Sequence, residues 1–155
     1  MAVGTVSGIT PNNWQLLETI TAPGGTTSVT SSVTLTGYSK LMITTGVTIA
    51  AGDILYIRFN GDTGNNYAGT ALLHSDSTRN TDRIPTRTIA TNALQNANIV
   101  IEYANISAPK LVDTYSSGGI ARGSWLTASA ITSITFFSGG NNIDSGTIKI
   151  YGIAG

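Results

Sequence analysis

Residues able to do chemistry are few in this 155-residue chain, and they are scattered. There is one His, His74, and no Cys. A Ser–His pair needs only one imidazole, yet no Gly-x-Ser-x-Gly elbow accompanies this one. A zinc site with one His and no Cys would need mostly carboxylates, an unusual donor set. Gly64 and Gly69 have phosphate-loop spacing, but Thr70 stands where the phosphate-reaching Lys must be. Ser107-Ala-Pro-Lys110 has the Ser-x-x-Lys spacing of serine acyl enzymes. That spacing needs a helical turn to bring Lys beside Ser, and Pro109 opposes one. Asp62, Asn65 and Asn66 crowd oxygen donors together, as a hard cation requires, without EF-hand spacing. A hairpin turn accounts for them equally. Glu102, Asp113 and Asp144 show no spacing for paired acid–base work. The expectation is no catalytic residue, no metal site and no cofactor.

The densest chemistry lies in 74–88, with His74 and three of the five Arg. Arg79, Arg83 and Arg87 recur every four residues. They would share a face on a helix, but Asn80, Thr81 and Pro85 oppose one. Guanidinium forks suit carboxylates, so these three are candidate contacts to an acidic partner surface or anionic sugar. Asp76 and Asp82 offer the alternative of local counter-ions. Trp14, Tyr67, Tyr115 and Trp125 are candidates for stacking on a sugar ring, or else for the core. Asn105-Ile-Ser107 is a glycosylation sequon, relevant only on a eukaryotic secretory route.

The elements that must position these residues read as strands. There are 24 Thr, with abundant Val and Ile, which suit a pleated half-buried surface. Gly and Asn supply turns. No window carries a sustained helical apolar pattern, whereas period-two runs recur. Trp14, Leu16, Glu18 and Ile20 share one face. Val29, Ser31, Val33 and Leu35 share the next. Leu41, Ile43, Thr45, Val47 and Ile49 alternate, with Gly46 as a candidate bulge. Residues 54–59 read as apolar on both faces, the mark of a central strand. Asn60-Gly-Asp-Thr-Gly-Asn-Asn66 is a dense turn signal. Residues 74–88 lose the pattern and read as a long loop. Further runs follow at 99–103, 111–115, 120–126, 131–137 and 148–153.

Turn spacing then predicts an all-β fold: an antiparallel β-sandwich, jelly-roll-like, of about 8–11 short strands. Leu16 or Leu17, Leu35, Ile43, Ile57, Phe59, Ile101, Ile134, Phe136 and Ile150 should form its core. The division is an N-terminal arm, 1–12, and a single domain, 13–155. Val3, Val6 and Ile9 in the arm lack a partner face and are candidate contacts to a neighbouring subunit.

Charge narrows the function. Lys+Arg and Asp+Glu are 8 each, and charged residues make up 10% of the chain. A typical figure is roughly 25%. Disorder wants high net charge, and nucleic-acid binding wants a basic excess; neither is present. No apolar run approaches 18 residues, so no helical membrane span is expected. The first ten residues lack the basic and apolar regions of a signal peptide. So little charge suits a surface covered by neighbours.

Several segments together resemble a family of small bacteriophage structural proteins. They are Trp14-Gln-Leu-Leu-Glu-Thr-Ile-Thr21, Ser28-Val-Thr30, Val33-Thr-Leu35, Tyr56-Ile-Arg-Phe-Asn-Gly-Asp-Thr-Gly-Asn-Asn-Tyr67, Trp125-Leu-Thr-Ala128, Ile131-Thr-Ser-Ile-Thr-Phe136, and 146–153. The likeness runs over roughly residues 13–153, and 58–67 is its most specific part. It implies a virion β-sandwich domain, found alone or at the end of fibre proteins, and carries no catalytic residue. No fibre stalk, collagen-like repeat or coiled coil precedes the domain, so a fibre tip would need a separate shaft chain. The expected function is a non-enzymatic capsid decoration (cement) protein on the phage head. Its expected partners are the major capsid protein and itself, as a homotrimer. The alternative is a tail or fibre component recognising host surface glycan.

Overall fold

The computed structural model describes residues 13–50, 53–72, 77–86, 94–116 and 118–155. The expected arm, with Val3, Val6 and Ile9, lies outside these, as do His74 and Arg87. Among the described residues there are strands and turns and no helix.

Twelve strands form: β1 (Gln15–Thr21), β2 (Ser28–Thr30), β3 (Tyr38–Ile49), β4 (Leu55–Phe59), β5 (Tyr67–Leu72), β6 (Ser77–Asn80), β7 (Ile84–Pro85), β8 (Leu94–Glu102), β9 (Lys110–Ser116), β10 (Gly119–Trp125), β11 (Ile134–Ser138) and β12 (Ile143–Ala154). That exceeds the expected count by one. Strands as short as β2 and β7 leave no periodicity to read. Eight strands make one sheet, in the order β1-β12-β3-β8-β9-β10-β5-β6. Four make the other, β2-β11-β4-β7. The strand pairings are antiparallel, and the two sheets pack as a sandwich.

Alternation builds the core. Along β3, Leu41, Ile43, Val47 and Ile49 are fully buried. They meet Ile99 and Ile101 of β8 and Ile148 and Ile150 of β12. Ile57, Phe59, Ile134 and Phe136 come from the four-stranded sheet. All the expected core residues are buried except at the Leu16/Leu17 choice. Leu17 packs on the core, and Leu16 is exposed. A bulge in β1 explains this: Leu16 pairs with Tyr151 and Glu18 with Ile150, so Leu17 is the extra residue. The single period-two face read for 14–20 is therefore broken there.

Three further expectations are corrected. Gly46 is no bulge, since it pairs in register with Thr147 and Asn96. The close crossing here depends on its neighbour Gly146, at φ +105°, where a Cβ would run into the Gly46 carbonyl oxygen. Strand β4 is not apolar on both faces, because Tyr56 and Arg58 point outward. The 74–88 stretch is not all loop, since it supplies β6 and β7. Pro85 sits in the edge strand β7, where a missing N–H is tolerated.

The 83–86 segment presses on the eight-stranded sheet at two cross-strand glycines, Gly69 and Gly123. A Cβ on Gly69 would lie 2.8 Å from the Arg83 carbonyl oxygen. One on Gly123 would lie 3.0 Å from Ile84 Cγ1. Ile84 is fully buried there, with Thr86 donating to the Leu55 carbonyl at 2.8 Å. Substituting Gly123→Val should overpack this seat. We expect a loss of about 1–3 kcal/mol in urea unfolding. An unchanged unfolding midpoint would show that the segment does not bear on the sheet.

Candidate interaction surface

The 58–67 segment, the most specific part of the resemblance, is a structural knot. Asn60 and Gly61 both have positive φ, 53° and 68°. Asp62 N donates to the Phe59 carbonyl at 2.9 Å, which closes a tight turn of the type I′ kind. The Asn60 side chain then staples 130–133. Its Oδ1 accepts from Thr132 N at 2.7 Å, and its Nδ2 donates to the Ala130 carbonyl at 2.8 Å.

Asp62 ties the two sheets together. Its carboxylate accepts from Trp125 Nε1 at 2.7 Å, from Gly64 N at 2.9 Å, and from Asn66 Nδ2 and Thr127 Oγ1. Burial alone would raise its carboxyl; these donors outweigh burial and hold it below the usual 3.8. Asp62 thus spends its oxygens on donors, and Asn66 spends its amide on Asp62. Asn65 Oδ1 accepts from Thr81 Oγ1 at 3.3 Å. Among the described residues no three of His, Cys, Asp or Glu cluster as metal ligands.

Trp125 lies in a buried aromatic cluster, tilted against Phe59 at 5.5 Å and stacked on Tyr67 at 6.5 Å between ring centroids. Trp125 and Tyr67 are buried, so the four candidate sugar-stacking aromatics do not share a surface; Trp14 and Tyr115 remain exposed. Lys110 is fully buried beside them, its Nζ 5.9 Å from the Trp125 ring. The ammonium donates to the carbonyls of Ile106 and Ala108. It caps the 103–109 turn rather than activating Ser107.

Arg83 joins a second cluster, on the outer face of the four-stranded sheet. Asp82 accepts from Arg58 Nη2 at 2.6 Å and from Arg83 Nε at 2.8 Å. The Arg58 guanidinium lies 4.2 Å over the Phe137 ring, and that of Arg83 4.9 Å over Tyr56. Tyr56 and Phe137 stack at 5.6 Å. Arg83 is therefore held by a local counter-ion and an aromatic platform. The structure brings it to Arg58, a residue the sequence reading did not single out. Arg79 sits in the edge strand β6.

The outer face of the eight-stranded sheet is different. Lys110, Val112 and Thr114 of β9 point inward; Leu111, Asp113 and Tyr115 point outward. Opposite them on β10 stand Ser124, Arg122 and Ile120. Leu111, Tyr115 and Ile120 are 48%, 47% and 43% exposed. From Asp113 a row of cross-strand neighbours runs through Val100, Met42 and Tyr151 to exposed Leu16. Two ion pairs lie on this face, Arg122 with Asp113 at 2.9 Å and Lys40 with Glu102 at 2.9 Å, and Lys149 of β12 is exposed on it between Thr19 and Thr44. Two shallow depressions flank the centre, about 390 Å³ between Leu111, Asp113, Arg122, Ser124 and Ala68, and about 320 Å³ between Asn96, Asn98 and Tyr115. None of the outward β9–β10 residues except Tyr115 drew attention in the sequence. The available signal was that β9 places Leu and Tyr on one face, and Lys and Thr on the other.

No family model matches the chain, and no curated protein matches it at a significant level. Among solved structures it is similar to a wild-type fructosyltransferase from A. japonicus, with a TM-score of 0.48 and 13% identity. A second structure, of A. japonicus CB05, gives 0.48 and 12%. Each match covers 94% of this chain and 27% of the other, so the chain spans about a quarter of those proteins. Overlap this loose carries no functional argument.

The knot gives a test in alkali. Burial pushes the Tyr67 hydroxyl up from 10.0 to about 12, while it is bonded to Phe59 N at 2.9 Å. Its folded value lies above its unfolded one, so its contribution is complete below pH 10 and is lost as pH rises towards 12. At 1.36 kcal/mol per pH unit that is about 2–3 kcal/mol. Burial lowers Lys110 below 10.5, which has the opposite sign: stability rises with pH until 10.5, and no further. Urea unfolding between pH 9 and 12 should show a loss above pH 10 that Tyr67→Phe reduces by most of this amount, the remainder belonging to Tyr56, which burial also raises. The same loss in the variant would mean Tyr67 is not its source.

Proposed function

We propose that this chain is a non-enzymatic structural protein of a bacteriophage particle, a capsid decoration (cement) protein on the head surface. It acts by bridging major capsid protein subunits and copies of itself. The observation that carries this reading is the outer face of the eight-stranded sheet. That face is wide and open: Leu16, Tyr151, Met42 and Val100 form one apolar cross-strand row that ends on the Asp113–Arg122 pair, and Leu111, Tyr115 and Ile120 stand exposed beside that pair. Covering such a face removes its exposed apolar side chains from water, which favours association.

The composition supports the same reading. A chain with 10% charged residues keeps little solvated surface once it is packed among neighbours. Carboxylates support it too: Glu18, Asp53, Asp62, Asp82, Glu102 and Asp113 are all engaged in structural bonds. Asp53 alone accepts from the backbone N–H groups of Gly139, Gly140 and Asn141, pinning the β11–β12 turn to β4. Bridging would stabilise the shell by mass action, because each bound copy favours the assembled state.

The experiment is rebinding to particles stripped of the protein. Leu16→Glu and Tyr151→Glu, at the uncovered end of the apolar row, should each lower head occupancy at least tenfold. The melting temperature should move by no more than a few degrees. Full occupancy by both variants would overturn this reading. Labelled protein on the tail in a few tens of copies, with binding to host polysaccharide, would replace it with a tail or fibre component that recognises glycan.

A further inference from the structure

We infer that the β9–β10 face is a two-fold contact between copies of this chain, each copy's Asp113 seated on the other's Arg122. The inference takes from the proposed function only that the chain associates with itself; it does not need the capsid.

The argument starts from register. Across β9 and β10, Leu111 pairs with Ser124, Asp113 with Arg122, and Tyr115 with Ile120. All six point to the outer face. Place a second copy face to face on the first, with a two-fold axis along the groove between the two strands. The rotation lays β9 of each copy over β10 of the other. Every outward residue then lands on the counterpart of its own cross-strand partner. Asp113 meets Arg122 twice, once on each side of the axis. Tyr115 meets Ile120 twice. Leu111 lands on Ser124, over the depression of about 390 Å³ whose floor includes Ala68.

Charge complementarity selects this occupant. Arg122 and Asp113 stay 65% and 40% exposed although paired, so each retains free hydrogen-bonding positions facing outward. An isologous contact needs a self-complementary patch, and a carboxylate–guanidinium pair astride the axis is one. The exchange adds two intermolecular ion pairs. Leu, Ile and Tyr flanking the pair suit a protein partner.

The area is also adequate. The axis leaves three strands beyond it on the β10 side, namely β10, β5 and β6. These overlie β9, β8 and β3 of the partner. Six strands about 4.8 Å apart and about seven residues long at 3.3 Å each give a footprint on the order of 600–700 Å². A standard interface covers roughly 800 Å² per partner. The contact leaves β1 and β12 uncovered, so Leu16 and Tyr151 remain available for a shell. It is two-fold, where a homotrimer was expected.

Reversed charges test it directly. Asp113→Lys alone sets like charges against each other twice in a homodimer, and so does Arg122→Glu. Mixed together, the two variants restore both attractions. Light scattering on the isolated wild-type chain at micromolar concentration should give twice the 16.0 kDa chain mass. Each variant alone should weaken the dimer at least tenfold. An equimolar mixture should recover it, and 1 M salt should reduce the difference. Circular dichroism serves as the fold control, since both side chains are exposed. A wild-type monomer at 100 µM would overturn the inference. So would dimers or trimers indifferent to both substitutions, or a mixture no tighter than its components. Failure of head binding with this pattern intact would remove the proposed function and leave the two-fold contact standing.

Discussion

The hydrogen bond from Trp125 to Asp62 is the constraint on which the rest of the sandwich hangs. Asp62 follows the turn that ends β4, in the four-stranded sheet. Trp125 ends β10, in the eight-stranded one. The 2.7 Å bond between them fixes the indole between Phe59 and Tyr67. Burying a Trp N–H and a carboxylate without each other would cost both groups their solvation. Together they let a large aromatic core close under β9, β10 and β5. The Gly69–Gly123 pair then admits the 83–86 segment, and that segment completes the cover. Because the inner face is sealed in this way, the outer face of β9 and β10 is held as a regular platform.

The platform inverts the usual sheet pattern. In β9 the inward face carries Lys110, Val112 and Thr114, and the outward face carries Leu111 and Tyr115. The inward Lys is tolerated because two backbone carbonyls take up its ammonium and the Trp125 ring lies near it. The outward apolar groups have no such local account. Their arrangement beside paired charges is what a contact surface requires, and what an isolated soluble sheet avoids.

Much of this architecture was legible in the sequence. Leu41 to Ile49 and Ile134 to Phe136 alternate cleanly, and each such residue lies where alternation put it. Asn60-Gly61 announced its turn, because both positions take positive φ, which these residue types tolerate. What escaped reading was non-local. The Leu17 bulge depends on pairing with β12, at the far end of the chain, and leaves no trace in β1 itself. Strands β6 and β7 are too short for periodicity and are defined by edges they join. The rings under Arg83 come from β4 and β11. The outward face of β9 went unread for a different reason: binary pattern alone does not say which face of 111–115 is buried, and here the core takes Lys110 while Leu111 and Tyr115 face out. Tyr67 and Trp125 were legible as aromatics, but only packing decides whether a ring stacks on a ligand or on Phe59.

The central claim is that the outer face of the eight-stranded sheet is covered in the working assembly. Hydroxyl-radical footprinting of assembled and isolated protein addresses it residue by residue. The account predicts strong protection of Leu111, Tyr115 and Tyr151 on assembly. Labelling of Tyr56 and Phe137, on the outer face of the four-stranded sheet, should stay unchanged. Equal labelling of Tyr115 and Tyr151 in the two states, with protection confined to the four-stranded sheet, would contradict it.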